Sequence, residues 1–124
     1  MNIRRKKRMN LIYYLRVFDT EAGTPLGQLA DITPQGMMLI SDLCAETGRA
    51  YSLRMDLPKN VMGGGHIIFH AVCKWCRREN GSGYYSMGFT ITDISPQEQV
   101  ILQKLIKTFH LEHPDVHPDV SRFW

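Results

Sequence analysis

Two short stretches of this 124-residue chain have residue types and spacing suited to holding an anion with flat, hydrogen-bonding edges. Arg4, Arg5, Lys6, Lys7 and Arg8 form an unbroken basic run, within which Arg4 and Arg8 stand as R-x-x-x-R. A guanidinium is a planar fork whose parallel N–H donors match a phosphate. The same fork matches the O6/N7 edge of guanine, and its flat face stacks on a base. Taken alone, such a run more often marks a solvated arm. The second stretch is Asp31-Ile32-Thr33-Pro34-Gln35-Gly36. Asp31 can accept from the N1–H and N2–H₂ edge of guanine, and the Thr33 hydroxyl can donate or accept. Gly36 lets the backbone approach a ligand closely. Taken alone, this stretch more often reads as a turn with a polar cap.

Composition limits the frame that carries these residues. The length suits one domain with one core. Apolar residues make up 44% and charged residues 22%, the balance of an ordinary globular protein. Net charge is +3, and the basic run holds more than that, so the remainder is near neutral or slightly acidic. One basic arm on a neutral body suits one local anionic partner better than a face laid along a duplex. No stretch has the 18 or more apolar residues of a membrane span. Arg16 interrupts the apolar segment after the basic run, which argues against a secretory leader. A cytoplasmic setting is expected.

Three cysteines, Cys44, Cys73 and Cys76, are an odd number and read as reduced thiols. Cys73-Lys74-Trp75-Cys76 is a C-x-x-C, but Cys44, His66 and His70 supply no second compact pair for zinc. On an extended strand, positions three apart face opposite ways, which suits buried or edge thiols better than chelation. No metal or cofactor is expected. No Ser/His/Asp arrangement, activated cysteine or paired-carboxylate site stands out, so the reading is a non-enzymatic one.

The elements around these residues follow a period of two. Leu11–Phe18, Leu26–Ile32, Met37–Ser41, Arg49–Leu57, Ile67–Trp75 and Tyr84–Ile91 read as six strands. Asp19–Pro25 reads as a hairpin loop, Asn80–Gly83 as a turn, and Pro58–Gly65 as a mobile connection. Thr33–Gly36 reads as a tight turn with Gly36 accepting positive φ. Tyr13, Tyr14, Tyr84 and Tyr85 read as core and wall. Six short strands at regular spacing suggest a small closed barrel or a sandwich. One helix follows: Ser95 caps it, Pro96 takes its first position, and Glu98 completes a capping box. Ile101, Leu102, Leu105, Ile106 and Phe109 share a stripe that would cover one end of the sheet structure. Two prolines in the HPDV repeat of His113–Val120 exclude a helix there.

The order R-x-x-x-R, then D-x-T-x-x-G, resembles the PilZ domain, a bacterial receptor module for cyclic di-GMP. Trp75 near the end of a long strand, Gly83-Tyr84-Tyr85 leading to Gly88, and the terminal helix also look like that family. The resemblance spans nearly the whole chain. It implies a mainly β fold: a six-stranded antiparallel β-barrel with a C-terminal α-helix. The expected division is a basic arm at 1–10, the barrel at 11–94, the helix at 95–112 and a tail at 113–124. Carried over by position, the ligand residues are Arg4 and Arg8 on phosphates and guanine edges, with Asp31, Thr33 and Gly36 holding a guanine on the barrel. Thr33 replaces the family's usual Ser, which keeps the hydroxyl and adds a methyl and a stiffer χ1. Ile91 stands where the family often has Phe.

The implied function is a cyclic di-GMP receptor whose arm orders on binding and whose reshaped surface meets a downstream protein. Its partners would be the cyclic dinucleotide and that protein, with no specific nucleic acid, and the chain would be a monomer or homodimer. Two alternatives stand beside it. One is a PilZ-type protein-interaction adaptor that binds no ligand. The other is a nucleic-acid-binding barrel led by the basic arm.

Overall fold

The computed structural model describes residues 15–59, 61 and 63–112. The basic run with Arg4 and Arg8, the Leu11–Tyr14 part of the expected first strand, and the HPDV segment lie outside the described residues. Six strands follow in order: β1 (Arg16–Asp19), β2 (Thr24–Ile32), β3 (Gly36–Ser41), β4 (Ala50–Asp56), β5 (His66–Arg78) and β6 (Tyr85–Asp93). One helix, α1 (Pro96–Glu112), ends the described chain. Every strand pair is antiparallel, and the order β1-β2-β3-β6-β5-β4 closes into a barrel. The barrel, not the sandwich, is the architecture formed.

Alternation decides the inside. Val17, Leu29, Ile32, Met37, Leu39, Leu53, Met55, Ile67, Phe69, Met87 and Phe89 are all buried in one core. Their neighbours along each strand face outward, as a pleated ribbon requires. Turns fall where glycine permits left-handed backbone. Gly23 has φ 72° in the β1–β2 loop, and Gly81 and Gly83 have φ 70° and 81° between β5 and β6.

The helix forms for the expected reasons. Ser95 Oγ donates to Glu98 Oε1 at 2.8 Å, and Glu98 N–H donates back to Ser95 Oγ at 3.2 Å. The second oxygen, Glu98 Oε2, accepts from Ile68 N–H at 2.9 Å. β5 pairs with β6 only from His70 onward, so Ile68 lies beyond the end of β6 and this carboxylate satisfies its amide. Leu102, Leu105 and Phe109 are fully buried and close one barrel end, while Ile101 and Ile106 flank them partly buried. Full burial of each such side chain is worth about 1.5–3 kcal/mol, so the helix is held chiefly by this plug.

The thiol expectation is corrected. Cys44 and Cys76 form a disulfide with Cα atoms 6.0 Å apart, and Cys73 is free and buried. The reason is tertiary. After β3 the chain folds back along β5, where Gly48 N–H donates to Cys73 O at 2.7 Å and Cys73 N–H to Arg49 O at 3.1 Å. The register of β5 against β6 also shifts between Cys73 and Trp75, which breaks simple alternation through the C-x-x-C. Burial raises the Cys73 thiol above its ordinary value, with the Trp75 carbonyl and Thr47 partly offsetting it. Tyr84 departs from its wall assignment, being 37% exposed, and Tyr85 is half-buried beneath Arg78.

Candidate functional site

The second expected ligand stretch lies at the β2–β3 turn. Register between these strands runs Leu29↔Leu39, then Asp31↔Met38, then Ile32↔Met37. One extra residue, Ala30, therefore sits in β2 as a bulge. A bulge resets which side chains face inward. Leu29 and Ile32 both point into the core, and Asp31 shares the outer face with Met38.

The turn itself is tightly closed. Thr33 N–H donates to Gly36 O at 2.8 Å, and Gly36 N–H to Thr33 O at 3.3 Å. Thr33 Oγ1 accepts from Gln35 N–H and Gly36 N–H, each at 3.3 Å, and donates to Gly36 O at 3.4 Å. The hydroxyl read from sequence as a ligand group is thus already engaged in shaping the turn, and Thr33 is 3% exposed. The Gln35 carbonyl accepts from Ile91 N–H at 2.9 Å, which ties the turn to β6. Gly36 opens β3 opposite Thr90. The left-handed glycines lie in other turns, so positive φ is not what position 36 uses.

Asp31 faces outward and yet its side chain is only 5% exposed. Its Oδ1 accepts from Ile32 N–H at 2.8 Å. His110, in the last turn of α1, places Nε2 3.7 Å from the same oxygen. Burial raises the carboxyl above its ordinary value, and the Ile32 amide and His110 offset part of that rise. The imidazole Nε2 is buried and has no hydrogen-bond partner of its own. The structure thus brings together Asp31, Thr33 and Gly36 on one rigid turn. It adds a residue that sequence reasoning missed, His110. No sequence signal marked it, because a basic residue in a last helical turn is already accounted for by the helix dipole. Arg4 and Arg8 lie outside the described residues. Among the described residues, no three His, Cys, Asp or Glu groups converge as a metal site.

The PilZ domain family model matches residues 2–108, which is most of the chain. The chain belongs to the PilZ domain family. PilZ domains are binding and regulatory domains, and three solved PilZ-type structures share this fold. One is the PilZ domain of YcgR from Escherichia coli, solved with c-di-GMP: TM-score 0.62, 16% identity, covering 82% of this chain and 85% of that one. A second is MrkH of K. pneumonia in its apo state: TM-score 0.61, 16% identity, covering 82% and 48%. The third is the Bacillus subtilis inhibitor of motility MotI/DgrA: TM-score 0.60, 17% identity, covering 77% and 46%. This chain therefore spans about half the length of the MotI and MrkH chains. No curated protein matches it. No helix among the described residues is long and apolar enough to cross a membrane.

Proposed function

We propose that this PilZ domain is a receptor for cyclic di-GMP. The observation that carries the reading is the bulge that turns Asp31 to the outer face beside the closed Thr33–Gly36 turn. An R-x-x-x-R pair precedes it at Arg4 and Arg8. Likeness to the YcgR domain solved with c-di-GMP supports the ligand class.

In this reading Arg4 and Arg8 grip phosphates and guanine edges through their paired donors. Asp31 accepts from the guanine N1–H and N2–H₂ edge. Gly36 admits the base close to the backbone, and Thr33 holds the turn in shape. Arg5, Lys6 and Lys7 add positive field without specific contacts. Binding orders the arm against the barrel and presents a new surface to a downstream protein in a bacterial cytoplasm. The domain does this without catalysis or cofactor.

The test is isothermal titration of cyclic di-GMP into the wild-type protein and into the Arg4→Ala/Arg8→Ala double variant. Saturable binding that the double variant loses is the expected result. Replacing Arg8 alone by Ala costs about 1.5–3 kcal/mol, as for a lost charge-assisted hydrogen bond. Arg8→Lys also weakens binding, since the fork is gone. No binding to the wild type by calorimetry and by a second probe overturns the receptor reading. It would favour the adaptor, for which the exposed Leu43, Ile68 and Val100 offer apolar contact surface.

A further inference from the structure

Resting on the receptor reading, we infer that the last turn of α1 caps the guanine-holding carboxylate, and that ligand must displace the His110 imidazole from Asp31 to bind. Asp31 is on the outer face of its strand, where water would ordinarily reach it, and its side chain is 5% exposed. His110 stands against it, its side chain 26% exposed and Nε2 3.7 Å from Oδ1. That separation is longer than a hydrogen bond. The cover therefore hides the carboxylate while adding no close hydrogen bond to the one from Ile32 N–H, and the buried Nε2 has no hydrogen-bond partner. The imidazole nitrogen is left unpaired, and the desolvated carboxylate keeps acceptor capacity beyond the Ile32 amide that a better partner can use. The N1–H and N2–H₂ edge of a guanine is such a partner, and it needs the space the imidazole occupies.

The structure also limits how far the cap moves. Phe109, next to His110 and in edge contact with its ring at 5.5 Å, is fully buried in the barrel plug. Lifting the whole helix would strip Phe109, Leu105 and Leu102 from the core. Turning the His110 side chain, or loosening the turn after Phe109, leaves them in place. The response to ligand is thus confined to the helix end.

The test compares cyclic di-GMP titrations of wild type and His110→Ala, with the two proteins checked for matching circular dichroism. Removing a competing cover makes His110→Ala bind roughly three- to tenfold more tightly. A second readout needs no variant: side-chain NMR of the wild type under titration. The His110 ring signals shift on binding while those of His66 and His70, on β5, stay in place. Binding that is unchanged or weaker in His110→Ala overturns the cap while leaving the receptor reading intact. So does a His110 ring that does not respond at saturation. No binding to either protein overturns the receptor reading, and the cap with it.

Discussion

Replacing Asp31 by Asn should make the protein more stable at neutral pH and a poorer receptor. The change is nearly isosteric. Asn Oδ1 still accepts from Ile32 N–H, the one hydrogen bond the carboxylate makes to backbone, at 2.8 Å. What is lost is a charge on a side chain that is 5% exposed. Burial holds the Asp31 carboxyl above its ordinary value of 3.8, so the folded state favours the protonated form. The associated cost is absent below pH 3.8, where the group is protonated folded and unfolded alike. It grows as pH rises and is complete once pH passes the raised native value. Each unit separating the two values is worth about 1.4 kcal/mol. A domain of this size moves its Tm by about 4 °C per kcal/mol. Thermal melts of Asp31→Asn and wild type from pH 3 to pH 7.5 should therefore coincide at the acid end and separate, with Asn higher, toward neutrality. Binding moves the other way. Asn presents one acceptor and one donor to an edge that offers only donors, so one charge-assisted bond is lost. That is about 1.5–3 kcal/mol, or roughly 10- to 150-fold in Kd. An Asn variant that melts below wild type at pH 7, or a gap that widens on acidification, would refute the account of Asp31 as a desolvated carboxylate.

Thr33→Val removes the hydroxyl that accepts from Gln35 and Gly36 inside a buried turn, and should cost about 1–3 kcal/mol of stability. Thr33→Ser keeps that hydroxyl and should stay within about 1 kcal/mol of wild type, the worth of one buried methyl group. Urea denaturation checks both, and equal losses would show that the hydroxyl does not shape the turn. The Cys44–Cys76 disulfide spans a sequence separation of 32 residues. Breaking it by reduction or by Cys44→Ser should cost about 3–4 kcal/mol on loop-closure grounds, read as a lower Tm. A melt indifferent to reductant would show that the two thiols are not joined in solution.

Much of the architecture was legible in the residues. Alternating apolar positions in the runs that became β4, β5 and β6 pointed to one buried face, and that face became the barrel interior. The Ser95-Pro96-Glu98 signature placed the helix start, because capping is a local exchange of hydrogen bonds between residues three apart. The stripe ending at Phe109 identified the plug for the same reason of short range. Strand ends were less legible: β5 runs on to Arg78 and β6 to Asp93, past the alternating runs that marked them. Cross-strand pairing sets those limits, and it is invisible in either strand alone.

The D-x-T-x-x-G stretch could be picked out as a turn with polar groups, but three of its properties belonged to the tertiary structure. The extra residue at Ala30, which sends Asp31 outward, exists only relative to the facing strand β3. The engagement of the Thr33 hydroxyl depends on how the turn closes over Gly36. The approach of His110 to Asp31 joins residues 79 positions apart in sequence, and only closure of the barrel and docking of α1 on its end bring them within 3.7 Å. The disulfide is of the same kind, since Cys44 meets Cys76 because the loop after β3 lies along β5. By itself the sequence determined the strand and helix types, the inward residues and the chemistry on offer, since these depend on neighbours a few residues apart. Which of those groups are desolvated, paired or covered was decided by the tertiary structure alone, because burial and long-range contact arise only when distant segments pack.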